Sequence, residues 1–293
     1  MSTIGLYQTI FRELISIARQ NRGRPPSEAL SLDRRINALE GTGNANGKFA
    51  AGYLYHTAHI SLTLGAAKRC VDIGAAPGCQ LLQLAALHPK TEFVGVDNNV
   101  ELIEVGIKNT AELGLGNVRW IKDDITTLGS CRDNVFDAAI STMTLHDLKS
   151  IQDVHACLAA TSRVLVDDGA VYIEDYARLK SAKSVDYFNA PDNTALGQDF
   201  QELNRASMTA AFTLEELRDA FSTLLPQATV YSTFLIPFLT VAKTPNRTLA
   251  PSVAEKLTTL RETLTAEKRK DLDDLCKFFR LGGWVGDPFC ADN

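Results

Sequence analysis

Residues 70–79 read Cys-Val-Asp-Ile-Gly-Ala-Ala-Pro-Gly-Cys, and Gly-Val-Asp-Asn-Asn occupies 95–99. A short apolar strand runs into a glycine-bearing turn. A helix follows from Cys79 to His88, apolar at Leu81, Leu82, Leu84, Ala85 and Leu87, and a second strand, Glu92 to Val96, ends at Asp97. This order predicts a βαβ unit whose first turn binds a ligand. Gly74 and Gly78 permit backbone geometry and a close ligand approach that a Cβ would block. The helix N-terminus offers unpaired N–H groups. Asp97 comes nineteen residues after Gly78, the interval at which such folds place a carboxylate on ribose hydroxyls.

Outward from this unit, strand and helix alternate between Lys68 and about Thr244. Strands are expected at 69–73, 92–96, 117–121, 135–140, 169–175, 228–235 and 238–243. The alternation argues for a mostly parallel sheet with helices on both faces. An amphipathic helix at 3–20, a second helix at 28–40 and a third at 49–68 precede it, with a glycine-rich loop at 41–47; the last helix carries Tyr53, Tyr55, His56 and His59. Two further helices are expected over 252–281, with apolar stripes that must be buried on the core or against a second subunit. The expected division is a helical cap at 1–67, a core at 68–245 carrying an insertion at 176–212, and a helical extension at 246–293. Thr213…Glu216 and Ser252…Glu255 read as capping boxes.

Composition narrows the function. The 293 residues carry a formal net charge of −5, which gives no general attraction to phosphate backbones. Six cysteines, at 70, 79, 131, 157, 276 and 290, show no C-x-x-C spacing, so neither a metal site nor a redox pair is expected. The N-terminus lacks a secretory pattern, and no apolar run is long enough to cross a bilayer. A reducing, cytoplasmic setting away from membranes is the expectation.

The stretch Val71-Asp72-Ile73-Gly74-Ala75-Ala76-Pro77-Gly78 resembles motif I of class I S-adenosylmethionine (SAM) dependent methyltransferases. It departs from the dinucleotide fingerprint, because Ala76 stands at the second glycine and Asp72 would repel a phosphate. A carboxylate there suits a ligand that carries a positive charge. The resemblance covers roughly residues 68–245. It implies an α/β fold with a Rossmann-like, doubly wound, mostly parallel seven-stranded sheet and helical additions at both ends. It also implies SAM as cofactor and S-adenosylhomocysteine as product. Asp72, Gly74, Ala76 and Gly78 would surround the methionine portion, Asp97 and Asn98 the ribose, and Asp124 with Ile125 the adenine, with Asp123 as the fallback. Ser141 and Thr142 would lie near the sulfur.

Leu145-His146-Asp147 resembles a stretch of the small-molecule O-methyltransferases, in which the histidine is the general base. The alternative is a histidine that only shapes the pocket rim. Signatures of base-amine and cytosine methylation are missing, and no convincing set for ribose 2′-oxygen is found. The acceptor is expected to be a small metabolite or peptide bearing oxygen or nitrogen, with Tyr53, His56, Tyr176 and Tyr187 as candidate contacts. The insertion also carries Arg178, Lys180 and Lys183, which could hold an acidic acceptor or simply form a solvated face. Two rival readings remain. One is an RNA methyltransferase, given the local basic run Arg19, Arg22, Arg24, Arg34, Arg35 and Lys48. The other is a non-catalytic SAM-binding scaffold that works through its terminal helices. A homodimer through those helices is a further expectation.

Overall fold

Seven strands form one sheet in the computed structural model, in the order β3-β2-β1-β4-β5-β7-β6. The structure describes residues 3–17, 19–42, 51–189 and 197–289. The strands are β1 (Arg69–Ile73), β2 (Glu92–Asp97), β3 (Val118–Lys122), β4 (Phe136–Thr142), β5 (Leu165–Tyr176), β6 (Thr229–Ser232) and β7 (Leu239–Lys243). The first five run parallel, and β7 is antiparallel to both neighbours. The central strands are largely apolar because helices cover both faces, with acidic residues near their carboxyl ends. Strand order reverses direction at β1, between β2 and β4, which opens a crevice at their carboxyl ends.

Among the described residues, twelve α-helices surround the sheet. Four precede it: α1 (Thr3–Ile15), α2 (Pro26–Ala29), α3 (Leu32–Thr42) and α4 (Ala51–Leu64). The segment expected as one helix at 28–40 is therefore broken, around Leu30 and Ser31. The loop expected at 41–47 lies, from residue 43 on, outside the described residues. Within the sheet region come α5 (Leu81–Leu87), α6 (Val100–Glu112), α7 (Ile151–Val164), α8 (Ala182–Phe188), α9 (Gln198–Ala210) and α10 (Leu214–Leu224). The last two are α11 (Pro251–Glu262) and α12 (Ala266–Leu281).

Two local expectations need correction. Thr213 and Glu216 do form a reciprocal capping box at α10, but Ser252 does not cap α11. That helix begins one residue earlier, at Pro251, with Ala250 as a cap that makes no side-chain bond. Proline lacks an N–H and its φ is already helical, so it takes the first position and leaves Ser252 inside the first turn. Strand β6 ends at Ser232 instead of 235. The Thr233 hydroxyl donates to Ile236 O at 2.7 Å and accepts from Phe238 N at 3.1 Å, which folds 233–238 into a turn.

One sheet face packs on α7 and α10 through Val154, Leu158, Leu217 and Phe221. The other packs on α4, α5 and the two C-terminal helices. There Tyr55 stacks on Phe279 at 5.4 Å, and Trp284 meets Tyr231, Phe279 and Tyr55 at 5.1, 5.0 and 5.5 Å. The C-terminal stripes are thus covered by the chain's own core. Among the described residues no helix is long and apolar enough to cross a membrane.

Phe279 is fully buried, so Phe279→Ala should cost about 3–5 kcal/mol of unfolding free energy in urea titrations. A loss well under 1 kcal/mol would mean that α12 is not part of the cooperative core.

Candidate functional site

At the end of β1 the chain turns sharply. Gly74 and Ala75 N–H groups both donate to Val96 O, at 2.8 and 3.1 Å. Gly74 and Gly78 adopt φ of 73° and 98°, a region that favours glycine. The positive φ at Gly74 is the backbone geometry expected of it, and a Cβ there would also sit 2.1 Å from the Thr144 side chain, so the residue makes room for the turn after β4. The hydroxyls of Ser141 and Thr144 donate to Ile73 O at 2.8 and 3.2 Å. Ser141 therefore ties β4 to β1, and its hydroxyl is committed to that bond instead of pointing freely to a ligand. Thr142 is half-buried next to it, in register with Glu174.

Asp97 spans the turn. It accepts from Ala76 N at 3.3 Å and Asn99 N at 2.9 Å, while Asn98 is exposed beside it. Burial raises its pKa, against the opposing N–H groups of Asn99 and Ala76 and the charge of Arg35. Asp72 is 2% exposed, and its carboxylate has no hydrogen-bond partner among the described residues. Burial, and then the nearby Asp97, hold its carboxyl well above the ordinary carboxylate range. Two carboxylates so placed make a site that favours a cationic or hydroxyl-rich ligand.

Past β3, both oxygens of Asp123 are used, on Asp124 N at 2.8 Å and Ser130 N at 2.7 Å. Asp124 uses Oδ1 alone, for the amide and hydroxyl of Thr126, and the apolar Ile125 is buried behind it. Asp124 keeps an open oxygen and Asp123 does not.

At the far side of the crevice, His146 sits in a 3-10 turn, Leu145–Asp147, after β4. Its Nδ1 lies 2.6 Å from Asp175 Oδ1, and its backbone N–H donates to Asp175 Oδ2 at 3.0 Å. Nε2 makes no hydrogen bond among the described residues. Burial alone would lower the pKa, but the charge and hydrogen bond of Asp175 outweigh it, and the result lies above the ordinary histidine value; Asp147 adds to the rise and Arg22 opposes it. The Tyr176 ring is 6.0 Å from His146, and its hydroxyl donates to Asn204 Oδ1 at 2.5 Å.

His56 forms a second buried group. Its Nδ1 is 2.6 Å from the Tyr172 hydroxyl and 3.0 Å from Glu174 Oε2, and its Nε2 has no partner among the described residues. Burial, then Glu174, Tyr53 and Asp175, push the Tyr176 phenol upward, so Tyr53, Glu174 and Tyr176 share one neighbourhood. Tyr187 stands on α8, where its ring meets Phe188 edge-to-face at 5.2 Å. The insertion cations turn elsewhere: Arg178 reaches toward Glu216 at 3.9 Å and Lys183 is exposed.

The N-terminal segment covers the crevice. Arg34 pairs with Asp199 and Glu202 of α9, at 2.7 and 2.6 Å. Arg35, 14% exposed, lies 3.7 Å from Asp147, and the Ser27 amide and hydroxyl both donate to Asp147 Oδ1. Arg19 pairs with Glu215. Arg22 donates to His146 O and Ala210 O, so four of the six basic residues of this run have partners within the protein; Arg24 is exposed and Lys48 lies outside the described residues. Sequence reasoning did not single out Asp175, Glu174 or Thr144. The signal was there for two of them: Glu174-Asp175 is an acidic pair that directly follows the apolar run Ala170–Ile173 on β5. No three His, Cys, Asp or Glu side chains converge on a metal position among the described residues.

A protein-family profile described as a methyltransferase domain matches residues 64–223. No curated protein matches the chain. Solved structures do. The plantazolicin methyltransferase BpumL in complex with SAH is 15% identical over 90% of this chain and 95% of that one, with a TM-score of 0.56. BpumL with a monoazolic desmethylPZN analog and SAH gives 15%, 89%, 95% and 0.55. A putative O-methyltransferase from Nostoc punctiforme is 18% identical over 72% of this chain and 67% of that one, with a TM-score of 0.48. At these identities the likeness is one of fold.

The raised His146 pKa sets a sign for stability. The stabilisation is complete below the ordinary histidine value, about 6.5, and is lost as pH rises through the higher folded value. In urea titrations from about pH 6 to about pH 8, the stability gap between wild type and Asp175→Asn should be widest at the acid end and narrow toward the alkaline end. A gap that widens with pH would contradict the pairing.

Proposed function

The chain belongs to the methyltransferase-domain family, and on that premise we propose that it transfers the methyl group of SAM to an oxygen or nitrogen of a small metabolite or peptide, with His146 as general base. The hydrogen-bonded pair of His146 with Asp175 carries this reading. A hydroxyl must lose its proton as the methyl arrives, and a histidine oriented by a buried carboxylate is suited to take it. Oxygen is accordingly the better acceptor.

The residues fit the cofactor. Asp72 is a buried carboxylate without a hydrogen-bond partner among the described residues, which suits the cofactor's ammonium, and Asp97 at the mouth suits the ribose hydroxyls. Asp124, with its free oxygen, and the adjacent Ile125 suit the adenine better than Asp123 does. The cofactor supplies a methyl already activated on a sulfonium, so the protein's task is to align the acceptor and to exclude water. Asp175 fixes the tautomer of His146 so that Nε2 is the basic nitrogen. Tyr53, His56 and Tyr176 line the acceptor side, and Tyr187 is the outermost candidate of that set.

Partners for Arg19, Arg22, Arg34 and Arg35 within the protein weigh against RNA as substrate. Burial of α12 on α4 weighs against a scaffold that works through a free C-terminal face. A cytoplasmic enzyme that pairs through α1 belongs to the same reading, because Tyr7, Phe11, Leu14 and Ile15 are all exposed on that helix.

Calorimetric titration with SAM, S-adenosylhomocysteine and NAD tests the reading. The two adenosyl sulfur ligands should bind and NAD should not; NAD binding alone would overturn it. Asp72→Asn should weaken SAM binding roughly 10–100-fold through loss of a charged hydrogen bond. The same change should stabilise the ligand-free protein at neutral pH. The raised Asp72 pKa makes folded-state ionisation costly, so wild-type stability falls as pH climbs above the ordinary carboxylate value of about 3.9. A destabilised Asn variant would reject the assignment. His146→Ala should lower turnover about 10²–10⁴-fold with SAM affinity unchanged; equal turnover would show that His146 is not a base.

A further inference from the structure

His146 is held from two sides. Asp175 grips the ring and the amide from β5. The second hold comes from residues 19–25, a strap without regular structure between α1 and α2. Arg22 in this strap reaches across to the turn after β4. Its Nη2 donates to His146 O at 2.9 Å and Leu148 O at 2.5 Å, and its Nη1 to Lys149 O at 2.8 Å. Nε donates to Ala210 O at 2.5 Å, and the guanidinium lies 4.0 Å over the Phe212 ring. One planar cation thus binds three carbonyls of the turn and one at the end of α9. A fork of five fixed donors matches this arrangement, and an ammonium does not.

The strap is itself anchored. Gln20 N donates to Lys180 O at 3.1 Å, and its side-chain amide to Leu179 O at 3.2 Å. Gly23 N donates to Thr209 O at 2.8 Å, and a Cβ at Gly23 would lie 2.8 Å from Thr209 Oγ1 and 3.3 Å from Thr209 C. No side chain fits at that position without lifting the strap.

We propose that Arg22 is a positioning residue for His146, fixing the turn so that the ring stays on Asp175 with Nε2 facing the acceptor. This rests on the reading of His146 as base. Charge-assisted bonds to the carbonyls of His146, Leu148 and Lys149 add to the 3-10 turn's own backbone bonds, and a base displaced by about an ångström loses much of its effect. The other charged groups at this ring are Asp175 from β5 and Asp147 on the turn, and the Tyr176 ring lies nearby. From the cap, Arg22 is the cation that meets the turn's carbonyls, while Ser27 and Arg35 meet the Asp147 carboxylate.

Arg22→Lys tests this in the full-length protein, since it keeps the charge and removes the fork. Proton–nitrogen NMR should show the His146 imidazole titrating closer to an ordinary histidine, and amide exchange at His146 and Asp147 should accelerate about tenfold or more. SAM affinity by calorimetry should stay within about threefold, and turnover should drop about tenfold with KM for SAM unchanged. Adding Arg22→Lys to His146→Ala should cause no further loss. Gly23→Ala, which displaces the strap without touching Arg22, should give the same signature and serves if the lysine variant fails to fold. Wild-type exchange and titration in both variants would overturn the inference, as would an equal loss of turnover in the His146→Ala background. A His146→Ala enzyme with normal turnover removes the base reading, and the inference falls with it. That outcome is distinct from a normal Arg22→Lys turn, which removes the inference alone.

Discussion

Three carboxylates lie buried at the carboxyl ends of the central strands, and the rest of the site is arranged around what that burial costs. Asp72, Glu174 and Asp175 are each no more than 3% exposed. An ionised group taken out of water needs a counter-charge or several hydrogen bonds. Asp175 has both, from His146. Glu174 has the His56 ring at 3.0 Å. Asp72 has neither among the described residues. The protein compensates two of these three carboxylates internally, through His146 and His56, and among the described residues leaves the third uncompensated.

Much of this is written in the order of residues. Runs such as Val71 to Ile73 and Val94 to Val96 can only be strands buried on both sides, and the glycine turn between them marks where they stop. The carboxylates on β1 and β2 are visible because an acid at a strand end is conspicuous against apolar neighbours. What cannot be read are contacts between segments far apart in the chain. Nothing near Gly74 in the chain announces that Thr144, seventy residues on, packs against it. Nor does the sequence around Ser141 announce that its hydroxyl donates to Ile73 O. Ser252 failed as a cap for a local reason, since Pro251 outcompetes it for the helix start.

The N-terminal segment and the insertion show the same limit more broadly. Their charges read as a basic run and a cationic insert, which suggests ligands outside the chain. Three-dimensionally they answer one another: Arg34 with Asp199 and Glu202, Glu13 with the amides of Lys180 and Ser181, and Arg22 with the end of α9. Neither segment alone could hold the post-β4 turn; together they roof it. The residues that orient His146 consequently come from three stretches of sequence, around 22, 146 and 175.

The two tryptophans fall at opposite ends of this arrangement. Trp120 lies against Gly78, within 3.1 Å of where its Cβ would be, and its indole N–H donates to Thr110. Trp284 stacks beside His59 at 4.0 Å, with the Lys243 ammonium 6.0 Å above its ring. Tryptophan emission from this chain therefore has two sources, one touching the glycine turn and one held under the C-terminal helix. Replacing either indole by phenylalanine leaves one tryptophan as reporter, of the glycine turn in one case and of C-terminal detachment in the other, with no dye attached.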